Sequence, residues 1–131
     1  MAAITFETKE ISESVDVIAP DGMEVRVLCE LTRGSAAHFT LPTGRVGKAV
    51  AHHTIEEIWF FVSGEGQMWR RHGDCEEIVP VRAGVSITIP VGTHFQLRCD
   101  GDEPLSAIAI TMPPWPGEEE AYPVEGPWPA G

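Results

Sequence analysis

The stretch His52-His53-Thr54-Ile55-Glu56-Glu57-Ile58-Trp59-Phe60-Phe61-Val62-Ser63-Gly64-Glu65-Gly66 decides how this chain reads. Glu57 to Val62 is aromatic and β-branched, and Ser63-Gly64-Glu65-Gly66 closes it, as a strand running into a tight turn does. Residues two apart on a strand share a face. On that period His53 and Glu57 fall with Ile55, Trp59 and Phe61. An unpaired carboxylate on an apolar inward face costs several kcal/mol, so two ligand-type side chains there need a reason. A bound metal supplies one, and so does a buried, hydrogen-bonded His–Glu pair.

The same rhythm extends on both sides. Met23 to Cys29 alternates, Ala36 to Leu41 ends at Pro42-Thr43-Gly44, and Gln67 to Arg71 stops at His72-Gly73-Asp74. Glu76 to Val81, Val85 to Ile89, Phe95 to Cys99 and Leu105 to Met112 follow, separated by Gly, Pro and Asp turns. No long window carries apolar residues at helical spacing. Many short strands at this interval predict an all-β, antiparallel sandwich or barrel.

From Pro113 onward the composition changes: six of the eleven prolines, four acids, Trp115, Tyr122 and Trp128 lie in residues 113–131. Dense proline blocks helix and central strand alike. The expected organisation is therefore one domain over residues 1–112, beginning with an N-terminal strand at Ile4 to Glu7, and a Pro/Trp-rich arm over 113–131. The tryptophans would anchor that arm on the domain or on a partner subunit.

With 131 residues, 43% of them hydrophobic and 22% charged, the chain has material for one folded core. Nine Lys+Arg against twenty Asp+Glu leave a formal charge of −11. Such a surface repels phosphate backbones and anionic lipid, so no nucleic-acid and no membrane partner is expected. Cys29, Cys75 and Cys99 form no pair pattern and read as small buried or half-buried thiols. The opening Met1 to Glu7 lacks the basic and apolar regions of a leader, and no apolar run reaches membrane length, so a cytoplasmic protein is expected.

The chain resembles the cupin superfamily. Its first signature is written G(X)5HXH(X)3,4E(X)6G. His53 falls on the second histidine, Glu57 on the glutamate and Gly64 on the closing glycine, while Ala51 occupies the first histidine position. The second signature, G(X)5PXG(X)2H(X)3N, is met by Gly84, Pro90 and Gly92, with Phe95 and Cys99 at the histidine and asparagine positions. The resemblance covers roughly Ala36 to Met112. It implies a jelly-roll β-sandwich or barrel, and a site where histidines and a glutamate converge inside it.

His52 and His94 each sit one residue from an expected ligand position. A one-residue slip turns a side chain to the other face, and a β-bulge reverses the slip. His52, His53, Glu57 and His94 are thus the candidate metal ligands, with His38 as a further imidazole and Gln96 as a neutral oxygen donor. Glu57 and His53 are the candidate acid–base groups. His72 reads as a solvated turn residue. The implied cofactor is one divalent transition metal, Zn foremost, with Fe, Ni, Cu or Mn as alternatives.

Phe39, Trp59, Phe61, Met68, Ile87, Ile89, Phe95 and Leu97 are the residues to line the cavity or the core behind it. Only Arg70 and Arg98 could meet an anion. The expected function is a metal-dependent cupin enzyme acting on a small, largely apolar carbonyl or aromatic compound, by cyclase, isomerase or dioxygenase-type chemistry. Some likeness to polyketide-cyclase-type cupins points the same way. The alternative is a non-catalytic binding module for a small apolar ligand. A homodimer is expected, because sandwich edges invite pairing.

Overall fold

The computed structural model describes residues 4–131; residues 1–3, where the expected domain begins and where a leader would start, lie outside the described residues. The described residues are nearly all β, with one 3₁₀ turn at Glu118–Glu120. Its strands are β1 (Val17–Ile18), β2 (Glu24–Glu30), β3 (Ser35–Leu41), β4 (Val50–His52), β5 (Glu56–Ser63), β6 (Glu65–His72), β7 (Cys75–Arg82), β8 (Ser86–Ile89), β9 (His94–Cys99), β10 (Leu105–Met112) and β11 (Ala121–Pro123). They form two antiparallel sheets, ordered β1-β2-β3-β10-β5-β8 and β11-β4-β9-β6-β7. This is the jelly-roll sandwich, with its core between the sheets.

Period 2 is plain on β5. Glu57, Trp59 and Phe61 are buried, while Ile58, Phe60 and Val62 face out. Beside them on β10 stand Ala107 and Ala109, paired with Phe61 and Trp59. These small residues leave room above β10, so Phe39 of β3 stacks on Trp59 of β5 at 5.4 Å. Met68, Ile87, Ile89 and Leu97 complete the packing from the other strands.

The signature glycine Gly64 sits at the β5–β6 turn with φ 77°, a conformation that disfavours a side chain. A Cβ there would also collide with Pro104 O and Leu105 Cα across the turn.

Residues 4–16 form no strand. The expected N-terminal strand at Ile4 to Glu7 is exposed chain outside both sheets, tied by the Glu30 N–H, which donates to the Glu7 carboxylate at 2.9 Å. Short β1, β4 and β11 have no periodic signal of their own and are supplied by pairing.

The C-terminal arm runs along its own domain. β11 pairs with β4, and Gly131 exchanges backbone hydrogen bonds with Val46. Trp128 lies on the Arg98 guanidinium at 4.7 Å, and its N–H and C=O both bond the Gln96 side-chain amide. Among the described residues, no helix is long and apolar enough to cross a membrane.

Candidate functional site

β4 and β5 are consecutive in the chain but belong to different sheets. Period 2 therefore cannot run through from His53 to Glu57, and a bend at His53–Thr54 resets it. Glu120 holds that bend. Its carboxylate accepts from the N–H groups of His53 and Thr54, at 2.9 and 3.0 Å, and from the Thr54 hydroxyl. Burial raises the Glu120 pKa, but these hydrogen bonds and the nearby His52 outweigh it and lower the pKa overall.

The bend leaves Val50 and His52 of β4, rather than Ala51 and the following His53, lining the interior cavity. The expectation that His53 shares a face with Glu57 is corrected accordingly. His53 is exposed, with its ring on Tyr122 of the arm at 4.4 Å. His52 takes the inward place, and its Nδ1 lies 3.1 Å from Glu57 Oε1. Both side chains are almost wholly buried, at 5% and 2% exposure. The Trp59 indole N–H donates to Glu57 Oε2 at 3.0 Å. Phe95 and Trp115 stand edge-on to the His52 ring at 5.2 and 5.3 Å.

Burial dominates the electrostatics. It pushes the Glu57 carboxyl up to about 8; the Trp59 hydrogen bond opposes the rise and the Asp21 charge adds to it. Burial takes His52 down to about 4, against the pull of Glu120. At neutral pH the pair is thus a carboxylic acid beside a neutral imidazole. Asp21 is also buried, which raises it to about 6 although its Oδ1 accepts the Met23 N–H.

These groups open onto a cavity of about 310 Å³, walled by Phe39, Trp59, Phe95, Trp115 and Thr111. That is the small end of ligand cavities.

The other candidate residues lie elsewhere. His94 opens β9 opposite Arg71, half-buried and outside the cavity lining, because its neighbour Phe95 takes the inward place. Gln96, expected beside His94 as a donor, is sealed under the arm by Gly47 and Trp128. His38 pairs with Ile108 and Arg26, on the face of β3 opposite Phe39. His72 is exposed at the end of β6. Asp21 and Glu118 were not anticipated as cavity residues. Asp21 sits in a Pro-Asp-Gly turn whose local chemistry says only turn.

Residues 37–111 match the family model described as the cupin domain. The chain belongs to the cupin family.

This cupin is 29% identical over 120 residues to an uncharacterized protein of Methanocaldococcus jannaschii, MJ1618, an alignment covering 85% of this chain and 93% of that one. Among solved structures it is similar to an uncharacterized conserved protein with a double-stranded β-helix domain from Klebsiella pneumoniae. There the TM-score is 0.69 and the identity 18%, over 92% of this chain and 100% of that one. A variant of Streptomyces PAC13 with uridine gives a TM-score of 0.68 at 16% identity, over 91% and 92% of the two chains.

A cupin metal centre of the kind the signatures imply needs several imidazoles around one glutamate. Here Ala51 and Phe95 stand at two of those positions, and only His52 and Glu57 converge. Among the described residues, no three His, Cys, Asp or Glu side chains are placed to hold a metal ion. This donor set does not fit that centre.

Proposed function

We propose that this cupin is a small-molecule enzyme whose chemistry is proton transfer by the His52–Glu57 pair, acting on a small, largely apolar carbonyl or aromatic compound bound in the barrel. The observation that carries this reading is the pair itself. An acid and an imidazole lie 3.1 Å apart, buried, at the wall of an aromatic cavity. Glu57, protonated near neutral pH, is placed to donate to a substrate oxygen, and neutral His52 to accept a proton from carbon or hydroxyl. A low-dielectric wall strengthens both interactions. Isomerisation or cyclisation through an enol is the reaction class that such a pair serves. His53, an acid–base candidate by sequence, becomes a packing partner of Tyr122 in this proposal.

The test is deuterium incorporation from D₂O into a panel of small ketones and aldehydes, followed by NMR, with metal content measured on the same preparation. Exchange should vanish in His52→Ala and Glu57→Gln and persist in His53→Ala and His94→Ala. Exchange that depends on His53 and His94, together with stoichiometric transition metal, would replace this reading with the metal-dependent one. Tight ligand binding without exchange on any carbonyl would favour the binding module.

A homodimer is part of the proposal. The outer face of the six-stranded sheet carries Phe60, Ile108 and His38 in one cross-strand row and Ile58, Ile110 and Ala36 in the next. Ile58, Phe60 and Val62 are 42–49% exposed. A second copy is the occupant we favour. These two rows contain no carboxylate, whereas much of the remaining surface of a −11 chain repels its copy.

A further inference from the structure

We propose that the barrel cavity selects a cationic ligand, a small protonated amine carrying an aromatic or apolar body. This rests on the reading of the cavity as the substrate site and names the ligand class it takes.

The charge around the cavity is one-sided. Among the described residues, Glu7, Asp21, Glu30, Glu57 and Glu118 border it, against one cationic residue, Lys9; Glu7, Glu30 and Glu118 are exposed, as Lys9 is. Lys9 is exposed, and its Nζ is 3.9 Å from the Glu7 carboxylate. No arginine lines the space. Arg70 and Arg98, the two that the sequence offered, are bonded to Glu77 and Asp100 elsewhere on the surface.

Two of the carboxyl groups are buried, Asp21 at 9% and Glu57 at 3% exposure, and no positively charged residue pairs with either. Glu57 avoids the cost of a buried charge by keeping its proton near neutral pH, whereas Asp21 ionises below it; a carboxylate buried without a counter-charge is expensive, and a cation from outside the chain removes that cost. His52 adds a polar atom to the same wall: its buried Nδ1 lies 3.1 Å from Glu57 Oε1 without a directed hydrogen bond. The aromatic lining from Phe39, Trp59, Phe95 and Trp115 suits the same ligand, since ring faces attract ammonium groups and the rings pack an apolar body. An anionic ligand would meet the two buried carboxyl groups, with no buried cation among the described residues to offset them.

The probes are three molecules of one shape and different charge: 3-phenylpropylammonium, 3-phenylpropanol and 3-phenylpropionate. Binding to the full chain at pH 7.5 is measured by calorimetry, and tryptophan fluorescence checks for occupancy beside Trp59 and Trp115. The ammonium should bind at least about tenfold more tightly than the alcohol, and the carboxylate should not bind. Asp21→Asn should weaken the ammonium severalfold and change the alcohol far less. An alcohol that binds in the barrel as tightly as the ammonium overturns the cation proposal and leaves the barrel site standing. A preference that survives Asp21→Asn also overturns it. Failure of all three probes to enter the barrel counts against both.

Discussion

Replacing Glu57 by glutamine tests the electrostatic core of the site without reference to any substrate. Burial raises this carboxyl from an ordinary 4.5 to about 8. A group whose folded pKa is raised contributes its full stability below the unfolded pKa. That contribution is lost as pH rises toward the folded pKa, because the unfolded chain ionises while the folded one cannot. A tenfold difference in proton affinity between the folded and unfolded chains is worth about 1.36 kcal/mol. Between pH 5 and pH 8 the wild-type chain should therefore lose about 3 kcal/mol relative to Glu57→Gln, which keeps the shape and does not titrate. Urea unfolding of both proteins at pH 5, 6, 7 and 8 measures the difference. The gap should widen in favour of Glu57→Gln as pH rises and level off above about 8. A gap that stays flat would mean that Glu57 is ionised in the folded chain, held by a metal or by protonated His52, and the neutral-pair reasoning would fail.

Four further outcomes are expected. For any substrate turned over, kcat/KM should rise through about pH 4 as His52 loses its proton and fall through about pH 8 as Glu57 does; a profile with neither limb would remove both groups from the reaction. Trp59→Phe deletes the N–H that lowers the Glu57 pKa, so the alkaline limb should move to higher pH, and an unmoved limb would show that the bond has no electrostatic effect. Glu120→Ala strands the Thr54 N–H and hydroxyl at the His53–Thr54 bend, while the His53 N–H keeps the Glu120 backbone carbonyl, and should cost about 1–3 kcal/mol in urea unfolding, whereas the exposed neighbour Glu119→Ala should change stability by less than about 0.5 kcal/mol. Phe60→Glu should convert the dimer to a monomer in sedimentation; a wild-type chain that is itself monomeric at micromolar concentration would end the dimer proposal.

The strands that carry the core were legible because their own side chains alternate. Glu57 to Val62 and Val85 to Ile89 announce both their conformation and their buried face, and pairing preserves what the period states. The Gly64, Gly84, Pro90 and Gly92 spacing added the family, since turn positions demand particular residues at fixed intervals. The two-residue β1 and three-residue β4 and β11 were not legible. Strands that short have no period, and backbone hydrogen bonds from a neighbour make them. β11 lies in the proline-rich arm and adds to β4 at the edge of its sheet, where proline is tolerated.

For the site, the chain alone determined that a glutamate beside Trp59 faces the core and that a histidine stands near it. Which histidine was a tertiary decision. A strand period holds only while the strand stays in one sheet, and here the chain crosses from one sheet to the other between His52 and Glu56. The turn that makes the crossing is fixed by Glu120, 67 residues beyond His53. The place of His94 was decided likewise, by Phe95 entering the core beside Val50. Asp21 and Trp115 reach the cavity from the β1–β2 turn and from the C-terminal arm, segments that only packing brings together. Local patterning sets which face of a strand is apolar. Contacts between residues far apart in the chain set where each strand begins to count, and with that which polar groups share the interior.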